Sequence, residues 1–300
     1  MFTIPSRVVM GTTLVLAVAV VLQIRLSAYT FITIDYPGAA NTKILGINDA
    51  GHIVGTADSI GFVWRNSQFR PITVPGATGT VASAINDRGW IVGTFSGAGL
   101  IGTTGAFAFV NGQFTIFEFP GTESFSQTHA LGVNNRGDIV GSYIHSPNEH
   151  PQGYVVRRNG GFTAISPAPH ETWLFAINSV GQMAGWDRPI ELGPRRGFVY
   201  AGDVFTSIDV PESLTQCEQG DACPRRTRVY GIDDALRIVG EYEGQTADLQ
   251  GGFVLAGGAF TSINVPGAIK TAVTRSNTGG TLVGWYQDTA GATHGFIATP

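Results

Sequence analysis

Residues 44–56 read ILGINDAGHIVGT, and the reading of this stretch decides the fold. Apolar and β-branched residues flank Asn48, Asp49, Ala50 and Gly51; Asn and Asp start turns readily, and glycine accepts the positive φ that closes a tight hairpin. The phrase returns as INDRGWIVG at 85–93, VNNRGDIVG at 133–141 and INSVGQMAG at 177–185. A second hairpin, GFVWRNSQF at 61–69, turns at Asn66 and Ser67 and returns as GYVVRRNGGF, GFVYAGDVF and GFVLAGGAF.

Working outward, a phenylalanine opens each following extended stretch: Phe31, Phe69, Phe114, Phe162, Phe205 and Phe260, at intervals of 38 to 55 residues. A threonine then begins the next unit: Thr42, Thr80, Thr128, Thr172, Thr227 and Thr271. Nothing downstream of the leader holds a helical period over ten residues. Four short strands per repeat, six times over, describe an all-β, six-bladed β-propeller of four-stranded blades. The expected blades are 42–75, 80–120, 128–168, 172–211, 227–266 and 271–298, the last completed by residues 29–36. The chain opens with a strand of the type that ends a blade and stops on one of the type that comes third, so joining them removes two unpaired sheet edges and ties both termini into the ring.

Composition agrees. Glycine supplies 41 of 300 residues, only 13% are charged, 43% are hydrophobic, and the net charge is −4. Disordered chains and coiled coils are thereby excluded, and no basic run offers a nucleic-acid footprint. Arg7 precedes an apolar run from Val8 to Leu22, too short for a comfortable membrane span and the right length for a secretory signal. Residues 1–28 are expected either to be removed or to stay as an N-terminal anchor, with membrane contact only through residues 8–24, and the remainder to be secreted or periplasmic. Cys217 and Cys223, in a polar insertion, are expected to form a disulfide in that oxidising compartment, because no further zinc ligands are spaced to match. No cofactor or metal is expected, and the Asn-Asp-x-Gly turns lack the oxygen-rich run of a calcium loop.

The recurring unit FTxIDVPGA, then INDxGxIVGxY, then GFVxxxG, resembles the HAF family of probable extracellular repeats, bacterial exported proteins taken to be β-propellers, and more loosely kelch repeats. The resemblance implies an exported propeller and brings no catalytic residue. Two units depart from it. Leu236 stands at the turn glycine of the fifth, and Arg275 and Ser276 stand where others carry a small residue and Ile or Val, so these blades are expected to be irregular.

Residues that break a repeat are free to serve a ligand. Directly after the six threonines come Lys43, Val81, His129, Trp173, Arg228 and Ala272, and two places further Leu45, Ser83, Leu131, Phe175, Tyr230 and Thr274. If the threonines begin the innermost strands, Lys43, His129, Trp173, Arg228 and Tyr230 form a cationic, partly aromatic rim suited to an anionic or sugar-like ligand. On the long-loop side the candidates are Tyr143, His145, His150, Trp186, Asp187 and Glu191, with Glu241, Tyr242, Glu243, Trp285 and Tyr286 on later blades. The expected function is a binding or structural module of the cell envelope or cell exterior, a monomer, holding a glycan or a protein partner. The alternative is a carbohydrate-active hydrolase or lyase on the same scaffold, for which Asp187 and Glu241 are the carboxylate candidates.

Overall fold

A computed structural model of the chain describes residues 29–97, 104–120, 127–146, 149–167, 170–191, 193–215, 226–244 and 250–300. The leader and the cysteine pair lie outside these residues. The described chain forms six antiparallel four-stranded sheets, with one four-residue helix, α1 (Glu212–Thr215). The chain opens with β1 (Thr30–Ile34). Blade one is β2 (Thr42–Ile47), β3 (Ile53–Ala57), β4 (Ile60–Arg65) and β5 (Gln68–Ile72), from the axis outward. Blade two is β6 (Ala77–Ile85), β7 (Ile91–Gly97), β8 (Gly105–Val110) and β9 (Gln113–Phe117). Blade three is β10 (Gln127–Val133), β11 (Ile139–Ile144), β12 (Gln152–Val156) and β13 (Phe162–Ile165). Blade four is β14 (Glu171–Ile177), β15 (Met183–Arg188), β16 (Arg196–Ala201) and β17 (Val204–Ile208). Blade five is β18 (Arg226–Ile232), β19 (Ile238–Glu243), β20 (Gln250–Ala256) and β21 (Ala259–Ile263). Blade six is β22 (Lys270–Ser276), β23 (Leu282–Gln287) and β24 (Thr293–Thr299), and β1 is its outer strand, from Thr30 opposite Thr299 to Ile34 opposite Gly295.

Each repeated residue has a packing reason. The aromatic of the third strand meets the phenylalanine of the fourth in every blade, as in Phe62–Phe69 at 5.1 Å and 80°. Phe31, at the head of the chain, makes the same contact with Phe296 at 5.8 Å and 64°, so the closing strand supplies the missing half of a repeated pair. The glycine of the IVG phrase lets the strands approach: a Cβ on Gly55 would lie 2.1 Å from the Lys43 carbonyl oxygen.

Two hydrogen-bond systems join blade to blade. The amide of the residue before the PG turn donates to the next unit's threonine, as Tyr36 N does to Thr42 Oγ1 at 3.0 Å and Val265 N to Thr271 Oγ1 at 3.1 Å. At the opposite end of the channel the turn asparagines form a ring. Asn48 Nδ2 donates to the Asn86 carbonyl at 3.1 Å, Asn86 to Asn134 at 2.9 Å, and Asn134 to Asn178 at 3.1 Å. Blade five carries Asp233, which cannot donate while ionised, and there Arg237 reaches the Asn277 carbonyl instead while pairing with Asp233 at 2.8 Å. Asn277 closes the circle on Asn48 at 3.5 Å.

Blades five and six were expected to be irregular and are regular four-stranded sheets. Leu236 adopts φ +61°, the left-handed conformation its glycine counterparts use, at an exposed position where no packing resists it. Arg275 keeps its strand and sends its side chain to the axis.

Candidate functional site

All six inner strands carry a β-bulge at the same place. The register slips between Ile44 and Gly46, and at five equivalent sites, leaving Leu45, Ser83, Leu131, Phe175, Tyr230 and Thr274 without a partner on the second strand. A bulge re-aims its side chain. All six line one cavity of about 540 Å³ at the mouth of the channel, within the usual range for small-molecule sites.

Arg275 closes this cup from below. The equivalent residue is glycine or alanine in the other blades, where inner strands crowd the axis: a Cβ on Gly132 would lie 2.6 Å from the Phe175 carbonyl oxygen. The Arg275 guanidinium donates to the carbonyls of Leu131 (2.8 Å), Phe175, Tyr230 and Thr274 (2.7 Å), all of them bulge residues. It also borders the small cavity ringed by the turn asparagines, so one side chain divides the channel in two. Burial lowers its pKa to about 10, which leaves it charged at neutral pH. Desolvating a cation costs several kcal/mol, and four charge-assisted bonds at roughly 1.5–3 kcal/mol each offset that. No carboxylate among the described residues pairs with it.

The wall is built blade by blade. Lys43 sits over the Trp285 ring at 4.7 Å, with Lys270 on the same ring at 5.5 Å. His129 is a wall residue whose imidazole burial pushes from 6.5 to about 4, keeping it neutral. Trp186 lines the cup beneath the Arg195 guanidinium, 4.8 Å from its ring, and Phe175 stacks beside it. Trp173 does not line the cup. Its indole lies against Trp186 at 5.9 Å and His129 at 5.4 Å, and its Nε1 donates to Glu171 at 3.1 Å.

Arg228 lines the cup, but its charge is matched. It pairs with Glu241 and, at 2.8 Å, with Glu243, while Arg226 and Lys270 attend the same carboxylates. Tyr230 Oη donates to Glu241 at 2.9 Å. Although burial opposes it, Arg228 holds the Glu243 carboxyl below the usual range. Glu241 is therefore buried behind the wall. Asp187 is likewise outside the cup, clamped by Arg196 at 2.9 Å. Tyr242 is buried in the core between blades four and five and shares a hydrogen bond with Ser262 at 2.9 Å. Of the loop candidates, Tyr143 stacks on Phe119 at 3.6 Å, Tyr286 stacks on His294, and His145, His150 and Glu191 are exposed away from the cup.

Arg195 was missed by the repeat because it lies in the loop before β16. Three buried polar atoms in wall residues have no hydrogen-bond partner: Arg195 Nε, Trp186 Nε1 and Thr94 Oγ1. Among the described residues no cluster of three or more metal-ligating side chains occurs.

No protein-family model matches the chain, and no curated protein matches it in sequence. Solved structures do share its fold. A putative gluconolactonase aligns with a TM-score of 0.55 at 12% identity, over 90% of this chain and 92% of its own. A catalytically inactive virginiamycin B lyase from Staphylococcus aureus, with quinupristin, aligns at 0.51 and 10% identity, over 91% and 100%. A mutant of AofleA from Arthrobotrys oligospora aligns at 0.51 and 12%, over 90% and 86%. At such identities the likeness concerns the fold alone.

Proposed function

We propose that the chain is an exported repeat propeller, of the HAF type its repeats resemble, that holds a glycan or a glycan-bearing envelope partner in the cup at the channel mouth. One observation carries the reading: the six bulge side chains, which differ from blade to blade, converge on a single blind cavity whose walls include Phe175, Tyr230, Trp186 and Trp285. Aromatic faces stack on sugar rings, and the surrounding donors hold hydroxyl groups. A glycan array, with capture from envelope extracts, tests it. Binding lost in Trp285→Ala at a nearly unchanged melting temperature supports the reading, and silence in both assays overturns it.

A second reading places a lyase or hydrolase in the same cup. His129, a neutral imidazole in the wall, favours it, as do the lyase and the putative gluconolactonase among the structural neighbours. Hydrolysis by two carboxylates draws no support, since Asp187 and Glu241 both stand outside the cup. Appearance of a new C=C absorbance on incubation with an acidic glycan, lost in His129→Ala, would favour the lyase.

A further inference from the structure

The cationic groups of the cup divide into two kinds. Arg228 is balanced by Glu241 and Glu243. Lys43, Arg195 and Arg275 are not: each lines the cup, and none has a carboxylate partner among the described residues. Among the described residues no aspartate or glutamate lines the cup. Three unbalanced positive charges around a low-dielectric cavity make a standing positive potential, strengthened because neighbouring walls exclude water.

Arg195 is the most exacting of the three. Its Nε is buried without a partner, its plane lies over Trp186, and the Trp186 Nε1 is also buried without a partner. Burial first, then the charges of Arg228 and Arg188, push its pKa below the ordinary value. The fold therefore holds a guanidinium among other cations, a cost that the charge of Glu171 and the Trp186 face offset only in part, since the net effect still lowers its pKa. Lys43 on blade one and Arg195 beside blade four stand three blades apart in a ring of six, on opposite sides of the cup.

We infer that the cup selects a carboxylate-bearing ring compound, an acidic oligosaccharide, with one carboxylate on the Arg195 fork, a second toward Lys43, and the sugar against the part-exposed indole of Trp285. This deepens the glycan reading and rests on it for the sugar alone; the choice of an anion rests on the unbalanced charges. A planar fork that donates two parallel bonds matches a carboxylate, and Arg275 below adds charge without leaving its carbonyls.

Calorimetric titration of the full chain with trigalacturonate, galactotriose and benzoate tests it, at low and at raised salt. The expected order is trigalacturonate tighter than benzoate, with galactotriose weakest and trigalacturonate affinity falling with salt. Arg195→Gln is expected to weaken trigalacturonate at least tenfold while keeping or raising the melting temperature, because repulsion is relieved. Lys43→Met should weaken trigalacturonate more than benzoate, and Arg70→Gln on the exposed outer strand β5 should change nothing. Equal affinity for galactotriose and trigalacturonate overturns the inference and leaves the glycan reading standing. Binding of benzoate without either sugar supports the anion and overturns the glycan. An Arg195→Gln chain that binds trigalacturonate as before overturns the assigned seat.

Discussion

Thr172 begins the inner strand of blade four as its five counterparts begin theirs, yet its Oγ1 is buried without a partner. The counterparts accept an amide from the residue before the PG turn, and the residue at that place in the preceding unit is Pro167, which has no N–H. Replacing a threonine hydroxyl by a methyl should therefore cost little here and much elsewhere. Thr172→Val is expected to be neutral or slightly stabilising, and Thr271→Val to lose about 1–3 kcal/mol by stranding the Val265 amide, read as denaturant midpoints. At the same scale the sequence was legible where a residue type is tied to backbone geometry. The turns at Asn66 and Ser67, with φ +50° and +59°, are such a case. It was not legible where a partner comes from another strand: Arg228 reads as a free cation until β19 brings Glu241 and Glu243 beside it, and Trp173 reads as a rim residue until the strand places it behind Trp186.

At the scale of elements, the closing strand is clasped by a histidine. His294 on β24 meets Asp35, just past β1, at 2.8 Å through Nδ1 and Asp288 at 3.3 Å through Nε2. The hydrogen bond to Asp35 is the main cause raising its pKa above 6.5, against a little burial. A raised value means that the folded chain holds the proton longer, so the stabilisation is fully present below about pH 6.5 and disappears as pH rises through the folded value. His129 has the opposite sign. Its value of about 4 lies below the unfolded 6.5, so the unfolded chain takes a proton that the folded chain refuses, and stability falls as pH drops through that interval. Melting temperature measured from about pH 4 to about pH 9 should show both slopes. His294→Gln should lie below the parent under mildly acidic conditions and converge with it toward alkaline pH; a gap that stays constant would assign His294 to packing. The repeat made four strands per blade legible, but not the bulge on every inner strand, whose trace is a single break in the buried alternation of a strand six to nine residues long.

For the whole molecule, repetition and its exceptions divide the labour. Repeated residues build a ring that closes on itself through Phe31 and Phe296, through the threonine links and through the circle of turn asparagines. Exceptions gather at the axis, where Arg275 replaces a small residue and turns a through-channel into a blind cup. Six blades, with the residues after the six threonines near the channel mouth where a cavity lies, followed from period and closure. A cationic rim was also legible, but not which cations make it, since Arg195 belongs to no repeat and the reach of Arg275 to four carbonyls depends on strands up to 144 residues away. The most direct measurement is a crystal structure of the full chain with trigalacturonate bound. It is expected to show the sugar in the cup, a carboxylate within hydrogen-bond distance of Arg195, and Arg275 still seated on the bulge carbonyls beneath it. Sugar density at the asparagine end of the ring, or an Arg275 swung aside with the channel open, would contradict the account.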